Sequence, residues 1–268
     1  MTKYTCKRLI PKLVAAILFL GSCSGPEVPT KNKSVKALKP LAENRSSGSK
    51  KVSGVSIITT GTFHGDEVSG NVEKINWTGL FKGPNGYYLK QTKLRAMRVN
   101  DPVLDEEHQK TGWELRVPGK DTSILLISAA AGLSDTRVSH APLSKTTLYP
   151  GDTLSIHYLG KDYLLVATGK KEPTSETGEN YQVSDYKLYL STRINGKKCQ
   201  TLLSAHDWFD DAMVYLIFAG DLDRDGILDL ILDDSYHYNM TEPSLYLSRN
   251  AAKGQAVKRV VSHVSVGC

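Results

Sequence analysis

Tyr186-Lys187-Leu188-Tyr189-Leu190, then Asn195-Gly196, then residues 199–203 (Cys-Gln-Thr-Leu-Leu) form the stretch that decides the fold. Residues alternate in polarity over 186–190, the period of a half-buried strand. Asn-Gly is the strongest short hairpin signal, because both residues accept the positive φ that a tight turn requires. Residues 199–203 are then the returning strand. The same grammar recurs along the chain. Residues 152–158 and 162–168 flank Leu159-Gly160-Lys161. Pro84-Asn85-Gly86 precedes Tyr87-Tyr88-Leu89, and residues 55–62 open the series. No segment holds a helical period over three turns. The expectation is a mostly β fold, an antiparallel sheet sandwich or barrel-like domain with little helix beyond a short one over residues 251–258. No repeat with a fixed period of about 20–50 residues is present.

The globular part begins at residue 55. Residues 55–268 hold 23 basic and 26 acidic side chains, a net of −3, although the whole chain carries +6. The excess is concentrated at the N-terminus, so the basic pI does not argue for a nucleic-acid partner. Residues 24–54 carry seven Lys/Arg, three prolines and Ser46-Ser47-Gly48-Ser49, with no apolar periodicity. They read as a disordered tether with a root-mean-square reach of about 30 Å.

Ahead of the tether lie Lys3, Lys7, Arg8 and Lys12. The apolar run Leu13-Val14-Ala15-Ala16-Ile17-Leu18-Phe19-Leu20 follows, and then Gly21-Ser22-Cys23. The run is far short of the roughly 20 residues that span a bilayer. Leu20-Gly21-Ser22-Cys23 resembles the lipobox of bacterial lipoproteins. That resemblance implies a signal peptide over 1–22, cleaved before a Cys23 that carries lipid such as palmitate. It implies a membrane partner through the acyl chains and residence in the cell envelope. Ser24, where an Asp retains such proteins at the inner membrane, favours the outer membrane in a host that has one. The alternative is a plain secretory signal with an incidental cysteine. After cleavage Cys199 and Cys268 remain. In an oxidising compartment the expectation is a disulfide between them; the alternative is two free thiols.

One loop holds recognisable chemistry. Residues 220–229 read Gly-Asp-Leu-Asp-Arg-Asp-Gly-Ile-Leu-Asp. Carboxylates at Asp221, Asp223 and Asp225 alternate along a tight turn, the Ile227 carbonyl follows, and Asp229 closes the set. Ca²⁺ takes six to eight oxygens, which suits such a set. Both flanks are apolar and strand-like, and position twelve is Leu232, so an EF-hand does not fit. Strand–loop–strand with this spacing resembles the calcium hairpin of FG-GAP and VCBS-type repeats. That resemblance implies Ca²⁺ on Asp221, Asp223, Asp225 and Asp229. A single copy implies a calcium hairpin, not a propeller. The alternative is an ordinary charged turn.

Polar and aromatic loops flank this hairpin. Trp208, Tyr236, Tyr238 and Asn239 are candidates for a ligand groove that stacks on sugar rings. His206 with Asp207 or Asp210 is a candidate for a base and its orienting acid. His64-Gly65-Asp66-Glu67 lacks a partner at recognisable spacing. Phosphate-loop, dinucleotide and zinc-protease motifs are absent. The leading expectation is therefore a lipid-anchored, non-enzymatic envelope protein that binds or scaffolds, with an envelope protein or a glycan as partner. The alternative is a hydrolase acting on glycans near the metal loop.

Overall fold

Two tight turns set the outermost sheet. Leu159 (φ 46°) and Gly160 (φ 74°) join β10 (Thr153–Tyr158) to β11 (Lys161–Pro173). Asn195 (φ 51°) and Gly196 (φ 77°) join β12 (Tyr181–Ile194) to β13 (Lys197–Trp208). Positive φ at both central residues matches the turn twist to the strand twist. The four strands pair in chain order, antiparallel throughout. Burial alternates residue by residue in β10, so one face is in the core and the other in water.

The computed structural model describes residues 54–174 and 181–267. The leader, Cys23, the tether through residue 53 and Cys268 lie outside them.

A second sheet sits inside the first. It runs β18 (Lys258–Ser262), β17 (Pro243–Leu247), β15 (Asp229–Asp233), β14 (Tyr215–Asp221) and β9 (Ser139–His140). Leu216, Leu230, Leu232 and Tyr246 pack with Leu165, Tyr186, Leu188 and Leu190 of the outer sheet. Phe218, Ile231, Leu245 and Leu247 point the other way, onto Leu80, Leu89, Leu125 and Ile127. A sheet covered on both faces needs apolar side chains at successive positions. That is why 213–219 and 230–232 read as unbroken apolar runs.

The third sheet supplies the opposite wall. It orders β1 (Ser56–Ile58), β7 (Thr122–Ser128), β3 (Trp77–Gly83), β4 (Gly86–Thr92) and β8 (Thr136–Arg137). Behind it lies a small sheet of β2 (Gly61–Phe63), β6 (Gly112–Arg116) and β5 (Arg95–Val99). Trp77, Leu115 and Leu126 form a core of their own between these two. A last pair, β16 (Met240–Thr241) with β19 (Ser265–Val266), ties the C-terminal segment to the body.

The fold is thus mostly β, with open antiparallel sheets stacked face to face. The barrel-like form is not adopted. Among the described residues, helix is limited to a 3₁₀ turn at Val72–Lys74, and no helix is long and apolar enough to cross a membrane. The short helix expected over 251–258 does not form. Gly254 has φ 86°, and its carbonyl accepts from the buried Cys199 thiol. Ala256 N–H donates to Thr201 Oγ1 at 2.9 Å, and Val257 is fully buried. Docking onto β13, with Gly254 at positive φ, wins over the helix propensity of Ala251, Ala252 and Lys253.

Candidate metal centre and flanking loops

The acidic loop joins two strands of the doubly covered sheet, Gly220 pairing with Asp229 at its base. Its side chains satisfy its own backbone. Asp221 Oδ1 accepts from Asp225 N–H at 3.2 Å and Oδ2 from Gly226 N–H at 2.9 Å. Asp225 Oδ1 accepts from Ile227 N–H at 2.8 Å. Arg224 (φ 60°) and Gly226 (φ 75°) adopt the left-handed conformation that lets so short a loop reverse; for Gly226 this carries no steric penalty.

Asp221, Asp223 and Asp225 converge, with one carboxylate oxygen from each lying within 4.8 Å of the others. Asp223 is the innermost of the three. Arg249 Nε donates to its Oδ2 at 2.9 Å, and Arg249 Nη2 donates to its carbonyl at 3.1 Å. Among the described residues, its Oδ1 is buried without a hydrogen-bond partner. Burial raises the Asp223 pKa, Arg249 opposes that, and Asp225 adds to it.

Asp229 sits apart from that trio, as a brace. Its Oδ2 accepts from Leu222 N–H at 2.8 Å. Its Oδ1 accepts from Ser248 N–H at 2.8 Å and Ser248 Oγ at 3.0 Å. It has no exposed surface, and burial pushes its pKa up to about 7. Ser248 Oγ also lies 2.8 Å from Asp225 Oδ2. Ile227 is half-buried at the loop's exit. Ser248 and Arg249 were invisible to sequence reasoning. They reach the loop only because β17 pairs with β15 and delivers the residues after Leu247 beside it.

The flanking loops pair differently from the expectation. His206 faces neither Asp207 nor Asp210: its Nε2 lies 3.0 Å from Asp234 Oδ1, and Arg259 Nη1 lies 3.1 Å from Asp234 Oδ2. Asp210 instead pairs with His237, at 3.0 Å. The reason is a bridge between the two loops. Asp210 N–H donates to the Tyr236 carbonyl and Tyr238 N–H donates to the Asp210 carbonyl, both at 2.8 Å. The bridge puts Trp208 edge-on to Tyr236, with ring centroids 5.9 Å apart, and leaves Tyr238 stacked on His237 at 4.4 Å. Trp208 and Tyr238 are exposed, whereas Tyr236 is half-buried and packs against the core. Asn239 belongs to the C-terminal tie, its carbonyl accepting from Gly267 N–H at 2.8 Å.

Cys199 is buried and carries no disulfide within the described residues, which exclude its expected partner Cys268. No family model, curated protein or solved structure matches the chain.

Proposed function

We propose that this chain is a lipid-anchored cell-envelope protein whose acidic loop holds one structural Ca²⁺, and that its role is binding or scaffolding. The observation that carries the metal reading is Asp223 Oδ1. A buried carboxylate oxygen with no donor is costly unless a cation meets it. Asp223 Oδ1 belongs to a carboxylate that clusters with those of Asp221 and Asp225. Both neighbours already accept backbone N–H groups, yet each carboxylate oxygen has a second lone pair to offer. The donors are hard oxygens, which suit Ca²⁺. Such an ion would neutralise the loop and pin the turn between two core strands. Asp229 and Ser248 would hold the loop's shape from behind. The anchoring half of the reading rests on Leu20-Gly21-Ser22-Cys23.

The test is thermal unfolding of the full chain in detergent. Chelator should lower the melting temperature, and millimolar Ca²⁺ should restore it, with Mg²⁺ restoring less. At about 100 times its dissociation constant the ion adds about 2.7 kcal/mol. Asp225→Ala should melt like chelated wild type and ignore added Ca²⁺. Identical curves with and without chelator, alongside a metal analysis that finds no calcium, would reduce the loop to a charged turn. Cys23→Ala should move the protein from the detergent phase to the aqueous phase; unchanged partitioning would place the anchor elsewhere.

A further inference from the structure

A hollow lies far along the chain from the acidic loop, on the sheet that contains β3 and β4. It is a groove of about 670 Å³ whose walls include Phe81, Tyr88, Lys90, Lys93, Lys120 and Asp121. That volume falls within the roughly 300–1,000 Å³ of small-molecule sites. Three ammonium groups against one carboxylate make it locally basic. Residues 55–268 as a whole carry −3, so the groove concentrates positive charge against the sign of the body. All three lysines are exposed, able to reach a ligand without leaving a buried site.

Tyr88 gives the groove a flat face that is held in place. Its ring stacks on the buried Phe81, with centroids 5.4 Å apart and planes 23° apart. Its hydroxyl donates to Asp121 Oδ2 at 2.7 Å. Fixed at both ends, the ring is a preorganised platform of the kind that binds without an ordering cost. Asn76 and Thr92 add an amide and a hydroxyl to the wall. A second hollow of about 180 Å³ shares Tyr88 and Asp121 and continues to Arg137. The two hollows meet at Tyr88 and Asp121, with lysines lining one and Arg137 the other. A small anion would need only one of them. A chain of rings bearing carboxylates matches the flat face, the hydroxyl-binding groups and the charge of both.

We infer that this groove binds an acidic oligosaccharide of the uronate class, with Tyr88 stacking on a sugar ring and Lys90, Lys93 and Lys120 meeting the carboxylates. The site is independent of the acidic loop and of the metal reading.

The experiment is isothermal titration calorimetry on the full chain in detergent, with a galacturonate hexamer as probe. Binding should be saturable, should weaken as salt rises, and should be absent for a neutral glucose hexamer. Lys90→Glu with Lys93→Glu and Lys120→Glu should weaken it at least about tenfold while the melting curve stays put. Tyr88→Ala should weaken it similarly. Lys197→Glu with Lys198→Glu, on the opposite outer sheet, should leave it unchanged. No heat up to about 10 mM hexamer overturns the assignment. So does an equal loss in the Lys197/Lys198 variant, which marks general charge attraction. Inorganic phosphate displacing the hexamer in full at equal concentration would make the groove a simple anion site and overturn it too.

Discussion

Two loops of this protein are built on carboxylates, and they treat the charge in opposite ways. In the loop over residues 101–111, Asp101 accepts from Val103 N–H and Leu104 N–H and lies 2.5 Å from His64 Nδ1. Asp105 accepts from Asp101 N–H, Thr111 N–H and the Thr111 hydroxyl. The hydrogen bond from His64 holds the Asp101 carboxyl below its usual range. For Asp105, burial pushes upward, but Thr111 and the backbone donors outweigh it. Both aspartates are stabilised as anions by groups the chain itself supplies. In the loop over 221–229, burial wins instead, and both Asp223 and Asp229 are raised. Of its four acids only Asp223 is paired with an arginine among the described residues, and one of its buried oxygens has no donor there. Acidic loops of similar look are therefore different devices. In the first the aspartates are met as folded; in the second a buried carboxylate oxygen stays unmet among the described residues.

The largest effect should come from Asp229→Ala. It strips the acceptor from two buried N–H groups, Leu222 and Ser248. At roughly 1–3 kcal/mol for each donor left unsatisfied, the loss should be about 3 kcal/mol or more in denaturant unfolding. Wild-type stability in that variant would mean the brace is not structural, and the contrast between the loops would lose its anchor.

A matched pair of substitutions sharpens the contrast by sign. Asp101→Asn deprives His64 of its anion, so it should destabilise with or without metal. Asp223→Asn removes a buried charge, so in chelator it should be neutral or stabilising, while the Ca²⁺ increment disappears. Equal destabilisation of both in chelator would show that the two loops handle charge alike.

A turn without carboxylates sets the scale. Gly196→Ala forces a side chain into φ 77° at the tip of the β12–β13 hairpin. It should cost about 1 kcal/mol, independent of Ca²⁺. A calcium-dependent change there would mean that the ion acts through the whole fold, not through its own loop.

The smallest effect is a slope with pH. Hydrogen bonding to Asp101 raises the His64 pKa above 6.5, against the pull of burial. A raised folded pKa gives stability that is fully present below the unfolded value and is lost as pH rises through the folded one. Stability of the chelated protein should therefore fall on going from mildly acidic to alkaline pH, and His64→Gln should flatten that part of the curve. An unchanged slope in His64→Gln would detach the pair from the stability of its loop.

How much of this was legible in the sequence differs element by element. Leu159-Gly160 and Asn195-Gly196 were readable because tight hairpin turns depend on local backbone preference alone. The acidic loop was readable because its carboxylates are close in sequence. Its completion was not: Ser248 and Arg249 lie 19 and 26 residues from Asp229 and Asp223 in the chain. The His206–Asp207 or His206–Asp210 pairing is read from nearness in sequence, whereas in the structure Asp210 pairs with His237 and His206 with Asp234. The expected helix over 251–258 failed for the same reason, since β13 claimed those residues.

The sequence by itself determined the β class, the tight turns, the acidic loop and the lipobox resemblance, all of which are encoded by neighbours within about ten residues. Only the tertiary structure decided that one sheet would be covered on both faces. It also decided that Asp234 rather than Asp210 would face His206, that Asp223 would keep a buried oxygen without a donor, and that three lysines from separate strands and loops would meet around Tyr88. Each of these depends on which strands pair and which sheets stack. Antiparallel pairing brings together residues whose separation along the chain carries no local signal.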